Sequence, residues 1–506
     1  MLVVPPSTLE TEFGRLASAG AELPLLGMAY IASAIRKIGH PIFLKDYYAE
    51  AQSWDSVERD IVIFQPDVIA TAGFINNMDR CLKLFEIAKR VNPKIVTVLG
   101  GPQASIFPDD AMQSPHLDCL TTSESEISFS RLVSYVEDIE AWSTFKGVVY
   151  RHPKTGEIIK NEHQPLMKDL DSVPFPALDL YPMRKYYPAV YIRGKKVATL
   201  VTSRGCPYNC TFCNAKMTYG RTLRYHSEKR VINELDYLMD RYGFDSFQFY
   251  DDMFTAVRSR VIKLCEVMLK TNRKYQWMCY TRTDRVDLEL LKLMKRAGCY
   301  MISYGIEAGD QVLLDKIRKN LTVEDNQKAV EWTSKAGILN IGTFMLGLPS
   351  ETPEQTKNTI DFACKNKFDY AIFGITEPYP GTDLWNDALQ EGYFIEADDQ
   401  HTNVLLPNFS KIWVPNGRKR SELEAMNRRA YKSFYFRPRA FLRWLINFAH
   451  IPLGRSFRYI KAGVEYIILF PAKDLLDRLI TRFFSALPFS KNKKDKPKSH
   501  FGVKYG

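Results

Sequence analysis

The chain of 506 residues lacks any apolar run long enough to span a membrane. The longest candidate near the C terminus, VEYIILF (residues 464–470), falls far short of the roughly 18 to 20 residues required. An N-terminal signal pattern is also missing, since MLVVPPSTLE turns polar within a few residues. Cysteine is sparse, nine residues in an odd count and scattered apart from one cluster. These absences argue against a disulfide-framed secreted domain and set the expectation of a reducing, cytoplasmic setting. There, clustered thiols hold metal or carry redox chemistry.

An excess of charge of one sign is absent from most of the chain. From Arg428 onward 18 Lys and Arg stand against 4 Asp and Glu, leaving 51 of the 69 basic and 54 of the 58 acidic residues to the rest. The net charge of +11 is therefore a property of the C-terminal segment. Hydrophobic residues at 45% and charged residues at 25% are ordinary for a globular chain, and the length calls for two or three packed units.

Residues 1–140 alternate short apolar runs with helical patterns. PLLGMAYIASAIRKIGH places Met28, Ile31, Ala32 and Ile35 on one helical face and ends at Gly39, while PIFLKD, PDVIATAG and KIVTVLGG have strand length. Such alternation predicts an α/β unit with a doubly wound, Rossmann-like sheet. Its ligands lie at the carboxyl ends of the strands, where Asp46, Thr71, Gly100 and Gly101 fall. Residues 141–190 read as a connector with a hairpin near Pro153 to Gly156.

From 191 to 395 the rhythm changes. VATLVTSRG, SFQFYDD, QWMCYTRTD, MISYGIEAG, NIGTFMLGLP and YAIFGITEPYPG are six strands with helical stretches between them, a partial (β/α)6 barrel of TIM type. Asp251, Asp252, Arg282, Glu307 and the turn from Gly347 to Pro349 each follow a strand, on the face where such barrels keep their active sites. Residues 396–506 form a helical basic extension with a tail expected to be disordered.

Cys206, Cys210 and Cys213 stand in the spacing C-x3-C-x2-C, on the loop after the first barrel strand. Four thiolates close a [4Fe-4S] cluster, whereas three leave one iron open to a small molecule. The alternative is zinc, with His226 or a remote residue as fourth ligand. Zinc sites usually pair two C-x2-C halves, and this chain offers one.

This loop, with Phe212 before its last cysteine, resembles the radical S-adenosylmethionine superfamily. TSRGCPYNCTFC, YDDMFT, YTRTDRVD, YGIEAG, GTFMLGLPSET and EPYPGTDLW follow the order and approximate spacing of its cobalamin-binding branch, over residues 1–390. That branch holds the anaerobic magnesium-protoporphyrin ester cyclase and the hopanoid and other carbon methyltransferases. The resemblance implies that the three cysteines hold a [4Fe-4S] cluster whose open iron chelates S-adenosylmethionine, cleaved on reduction to a 5′-deoxyadenosyl radical. It assigns Asp251 or Asp252 to the amino group of that molecule, Arg282 to its carboxylate, Glu307 to its ribose and Gly347 to Pro349 to its adenine.

The same resemblance implies cobalamin on the N-terminal domain and methylation of an unactivated carbon of a small or lipid-like substrate. Oxidative cyclisation or rearrangement, and cofactor sensing without turnover, are the alternatives. A reductase or flavodoxin-type protein would supply the electron. Two departures stand out. The corrinoid pattern Asp-x-His-x-x-Gly is missing, since Asp46 is followed by YYAEA, so cobalamin is expected without a histidine lower ligand. In TSESEIS (residues 122–128) serines replace the glycines of the Gly-Glu-Gly-Glu that relatives often carry, which crowds the approach to a corrin edge.

Residues 428–498 mix Arg and Lys with Phe, Trp, Leu and Ile, which suits an amphipathic segment at the inner face of a membrane. The aliphatic content and the lack of a recognisable nucleic-acid motif argue against nucleic acid as the partner.

Overall fold

The computed structural model describes residues 1–13, 20–189, 191–396 and 411–438, with a few further positions up to Lys461. Most of the expected membrane-surface segment lies outside the described residues. Among the described residues, no helix is long and apolar enough to cross a membrane.

Seven strands form the first sheet: β1 (Leu2–Val4), β2 (Leu44–Asp46), β3 (Val68–Ala72), β4 (Val96–Gly100), β5 (Cys119–Thr121), β6 (Val148–Arg151) and β7 (Ile158–Lys160). Their order is β2-β1-β3-β4-β5-β6-β7. The first five pair in parallel, and β6 and β7 join antiparallel. The hairpin at Pro153 to Gly156 links β6 to β7, so the sheet runs on past residue 140 into the segment read as connector.

Strand order reverses between β1 and β3, and the chain leaves these neighbours in opposite directions, opening a crevice at their carboxyl ends. The helix Leu26–Lys37 borders it and buries Met28, Ala29, Tyr30, Ala32 and Ile35.

The second sheet holds six parallel strands, β8 (Val197–Leu200), β11 (Ser246–Phe249), β12 (Trp277–Thr281), β13 (Cys299–Glu307), β14 (Leu339–Leu346) and β15 (Tyr370–Ile375), in sequence order from one edge to the other. Between β8 and β11 a two-residue ribbon, β9 (Ser203–Arg204) with β10 (Arg224–Tyr225), stands apart from the sheet. Helices such as Glu228–Tyr242, capped by Ser227 and ended by Gly243 in the left-handed region, cover the outside. This is the partial (β/α)6 barrel that the sequence predicts.

An open barrel leaves an edge strand with unpaired backbone groups, which must be satisfied or covered. Here the helix Arg420–Tyr435 covers β15. Asn427 donates to Phe373 O at 2.8 Å, Tyr431 Oη accepts from Phe373 N at 3.2 Å, and Tyr435 Oη donates to Ala371 O at 2.9 Å. These residues recur every fourth position on one helical face and take the place of a further strand. A buried ion pair, Arg420 to Glu377 at 2.8 Å, fixes the start of the helix at the carboxyl end of the barrel.

Candidate functional site

The three cysteines sit on one loop at the carboxyl end of β8. Gly205, at φ +89°, closes the β9–β10 ribbon so tightly that a Cβ there would run into Thr222 O. Cys210 is buried and Cys206 and Cys213 are half-buried. Burial pushes the Cys213 thiol up to about 11, helped by Cys210 and Cys206, and pushes Cys206 upward too. Thiols crowded together in a desolvated loop ionise only against concentrated positive charge.

Among the described residues no three His, Cys, Asp or Glu side chains are placed to hold a single metal ion. His226, the zinc alternative, is buried against the connector with Nδ1 3.1 Å from Asp171 Oδ1. Three soft thiolates with no fourth ligand among the described residues fit a polynuclear iron-sulfur group.

The strand-end residues serve this loop in different ways. Asp251 is buried and accepts from Thr202 N and Thr202 Oγ1, both at 2.6 Å, and from Ser203 Oγ at 2.5 Å. It braces the approach to Cys206. Asp252 lines a cavity with its side chain exposed there, and partial desolvation by the surrounding protein, with Asp251 beside it, holds its carboxyl above the usual range.

Arg282 lies 3.9 Å from the Tyr208 ring centroid, donates to Asp284 at 2.8 Å and Lys319 O at 2.6 Å, and approaches Cys210 Sγ at 3.9 Å. Most of its donors are thus engaged within the protein. Glu307, in the left-handed region at φ +64°, pairs with Lys319 at 2.7 Å, and that ammonium stands 5.7 Å from the Phe212 ring. Gly347 has φ +78°, and the space it leaves is taken by Leu423 of the covering helix, 3.1 Å from where a Cβ would stand. Pro349 is buried in the same turn, where Leu348 N donates to Glu351 at 2.6 Å.

A cavity of about 360 Å³ lies between the two sheets, at the carboxyl ends of both. Thr71, Gly100 and Gly101 line it from the first sheet, and Ser203, Arg204, Tyr250 and Asp252 from the barrel. Apolar side chains, among them Leu25, Met28, Val98 and Phe129, make up much of the wall. Thr71 and Tyr30 both line the cavity, their hydroxyls buried beside the Cys81 thiol and the Glu234 carboxyl respectively. A glycine shelf in a largely apolar wall, where a Cβ on Gly101 at φ +88° would meet Gly73 O at 2.9 Å, fits a large flat ligand such as a corrin.

Asp46 is not part of this wall: Tyr186 Oη donates to it at 2.6 Å and Ala49 N at 2.8 Å. No described histidine lines the cavity. Sequence reasoning missed Tyr30, Arg204 and Tyr250. Arg204 carried a signal in its place two residues before Cys206.

A partial parallel barrel with a three-thiol loop, facing a doubly wound domain across one cavity, defines a radical enzyme built around two cofactor sites. The radical SAM superfamily model matches residues 200–363 and the B12 binding domain residues 14–133. An uncharacterized methyltransferase of Pyrococcus horikoshii is 30% identical over 459 residues, covering 90% of this chain and 97% of its own. The anaerobic magnesium-protoporphyrin IX monomethyl ester cyclase of Rubrivivax gelatinosus is 29% identical over 440 residues, covering 84% and 77%.

The radical S-adenosylmethionine methyltransferase TsrM from Kitasatospora setae, solved with tryptophan substrate and a SAM analogue, shares the fold. Its TM-score is 0.70 at 14% identity, with 96% of this chain and 99% of that one covered. The chain belongs to the cobalamin-dependent radical S-adenosylmethionine methyltransferase family.

Proposed function

We propose that the protein transfers a methyl group to an unactivated carbon of an apolar, lipid-like small molecule bound between its two domains. One observation carries this reading: a single cavity takes its walls from the carboxyl ends of both sheets. When bound, the [4Fe-4S] cluster with S-adenosylmethionine supplies a hydrogen-abstracting radical, and cobalamin supplies the methyl group.

The chain's own residues bind, orient and exclude water. Cys206, Cys210 and Cys213 hold the cluster, Asp251 fixes their loop from behind, and Arg282 holds it from the side through Tyr208. Asp252, the aspartate open to the cavity, accepts from the cationic amino group of S-adenosylmethionine, and Glu307, held by Lys319, serves its ribose. Arg282 is reassigned from the carboxylate to the loop because its donors are taken. Thr71, Gly100 and Gly101 cradle the corrin edge. With no described histidine in the wall, cobalamin would bind there without a histidine ligand. A reductase or flavodoxin-type protein donates the electron, and the basic tail holds the enzyme at an anionic membrane surface.

The test uses protein reconstituted anaerobically with iron, sulfide and cobalamin, and electron paramagnetic resonance after dithionite reduction. A cluster signal that changes on adding S-adenosylmethionine, with a base-off Co(II) spectrum free of nitrogen superhyperfine splitting, is expected. Methyl-labelled S-adenosylmethionine should then pass its label into an organic-extractable product. A cluster without bound corrinoid refutes methyl transfer, and loss of label transfer with formation of a ring-closed product instead moves the assignment to cyclisation. Deleting residues 451–506 should abolish partition into anionic vesicles.

A further inference from the structure

Between the two cofactor-bearing units lies a buried set of charges that the reaction itself does not use. Glu124, 3% exposed, accepts from Arg204 Nη1 at 3.1 Å, from Arg224 Nη1 at 2.6 Å and from Met167 N at 2.7 Å. Arg204 Nη2 donates to Glu126 at 2.7 Å. The two arginines sit opposite each other on the β9–β10 ribbon, and Arg204 stands two residues before Cys206. Glu124 ends the loop after β5 and Glu126 lies in the first turn of the helix Ser125–Ser134 that follows, both lining the cavity; on the same loop Ser123, at φ +61°, donates to Thr218 O at 3.2 Å.

We propose that Glu124, Glu126, Arg204 and Arg224 are positioning residues that set the separation between the corrin-bearing loop and the cysteine loop. This rests on the two-cofactor reading above. A guanidinium forks to two carboxylates at once and fixes both direction and distance, which a point charge on a flexible stem does not. Stability is a poor account of the cluster. Buried ion pairs seldom stabilise over apolar packing, and Arg224 keeps Nε and Nη2 buried without partners. Geometry is the better one, because reacting groups misplaced by about 1 Å lose on the order of 10²-fold in rate.

The experiment uses the full chain loaded with cluster and hydroxocobalamin and reduced to the [4Fe-4S]⁺ and Co(II) states. Pulsed electron paramagnetic resonance then reads the relaxation of Co(II) enhanced by the nearby cluster, which depends on their separation and needs no substrate. Arg204→Lys keeps the charge but cannot bridge Glu124 and Glu126, and Glu126→Gln removes one arm. Both should keep wild-type iron and corrinoid contents while the Co(II) relaxation rate changes at least twofold, and Glu126→Asp should return most of the effect.

Wild-type relaxation in the loaded variants overturns the proposal. So does loss of cofactor from Glu126→Gln at an unchanged melting temperature, because positioning presupposes binding. Wild-type protein that fails to load one cofactor overturns the two-cofactor reading instead.

Discussion

Two adjacent aspartates with one name in the sequence should answer substitution in opposite ways. Asp251 accepts three short hydrogen bonds from Thr202 and Ser203, and Thr202 is held in turn by Arg260 Nη2 through its carbonyl at 2.9 Å and its hydroxyl at 2.7 Å. Asp251→Asn keeps the shape but replaces a charged double acceptor by one neutral oxygen and an amide donor. Hydrogen bonds to charged groups contribute roughly 1.5–3 kcal/mol each. Two of the three are weakened and one hydroxyl can turn, so the expected loss is about 2–4 kcal/mol. For a unit of the barrel's size this lowers the melting temperature by roughly 5–15 °C.

Asp252→Asn removes an exposed charge that Asp251 and partial desolvation already disfavour, so stability should stay within about 1 kcal/mol. Thermal unfolding of both apo variants by circular dichroism, with iron content after reconstitution, separates them. Asp251→Asn should melt early and hold less iron. Asp252→Asn should melt normally, load its iron, and lose the change in cluster signal on adding S-adenosylmethionine. Equal melting of the two variants, or a greater loss in Asp252→Asn, would refute the division of roles.

Burial and Arg230 hold His226 down to about 4, from an ordinary 6.5. A depressed folded value means stability present above pH 6.5 and lost as pH falls toward 4, up to about 3 kcal/mol, so His226→Asn should flatten the fall in urea midpoint between pH 7 and pH 4.5; parallel curves for variant and wild type would sink this. Tyr431→Phe and Tyr435→Phe each strip a partner from the β15 edge, at about 1–3 kcal/mol, and should speed amide exchange at Phe373 and Ala371 respectively. Unchanged exchange there would show that the helix does not seal the edge through its phenols. Gly347→Ala forces a side chain into the left-handed region against Leu423 and should cost about 1–2 kcal/mol, part of it recovered in the double variant with Leu423→Ala. Strict additivity would remove the proposed contact.

The elements that repeat were readable from the chain alone. Six barrel strands, the doubly wound unit and the cysteine loop follow from apolar runs, turn residues and ligand spacing, because each is a local pattern. What the pattern does not carry is the direction in which a residue at a strand end points. Asp251 and Asp252 are equivalent as letters, but successive residues leave a strand on opposite sides. One meets Thr202 and the other the cavity.

Gly347 reads in the sequence as a place of close approach, while its neighbour Leu423, distant in sequence, is named by no local pattern. Arg282 was legible as a strand-end cation, while its engagement with Tyr208 and Lys319 O depends on loops that only the fold brings together. Asp46 marks a strand end at the first sheet, but its partner Tyr186 comes from the connector.

That connector explains why two sheets can share one site. Each keeps its ligands at its carboxyl ends, so a reaction using both requires the two sets of ends to face each other, an arrangement neither sheet dictates alone. The segment between them makes the introduction on both sides. Tyr186 bonds Asp46, and Glu22 pairs its backbone with Tyr187, on the first domain. Asp171 bonds His226 and Ser227 N, and Met167 O accepts from Arg224, on the barrel. Met167 N also reaches Glu124, so the same segment touches the charge cluster that joins the loops. A plain tether would leave the domains free to separate; these contacts make the connector a third wall of the arrangement, and the shared cavity follows from its pins as much as from either fold.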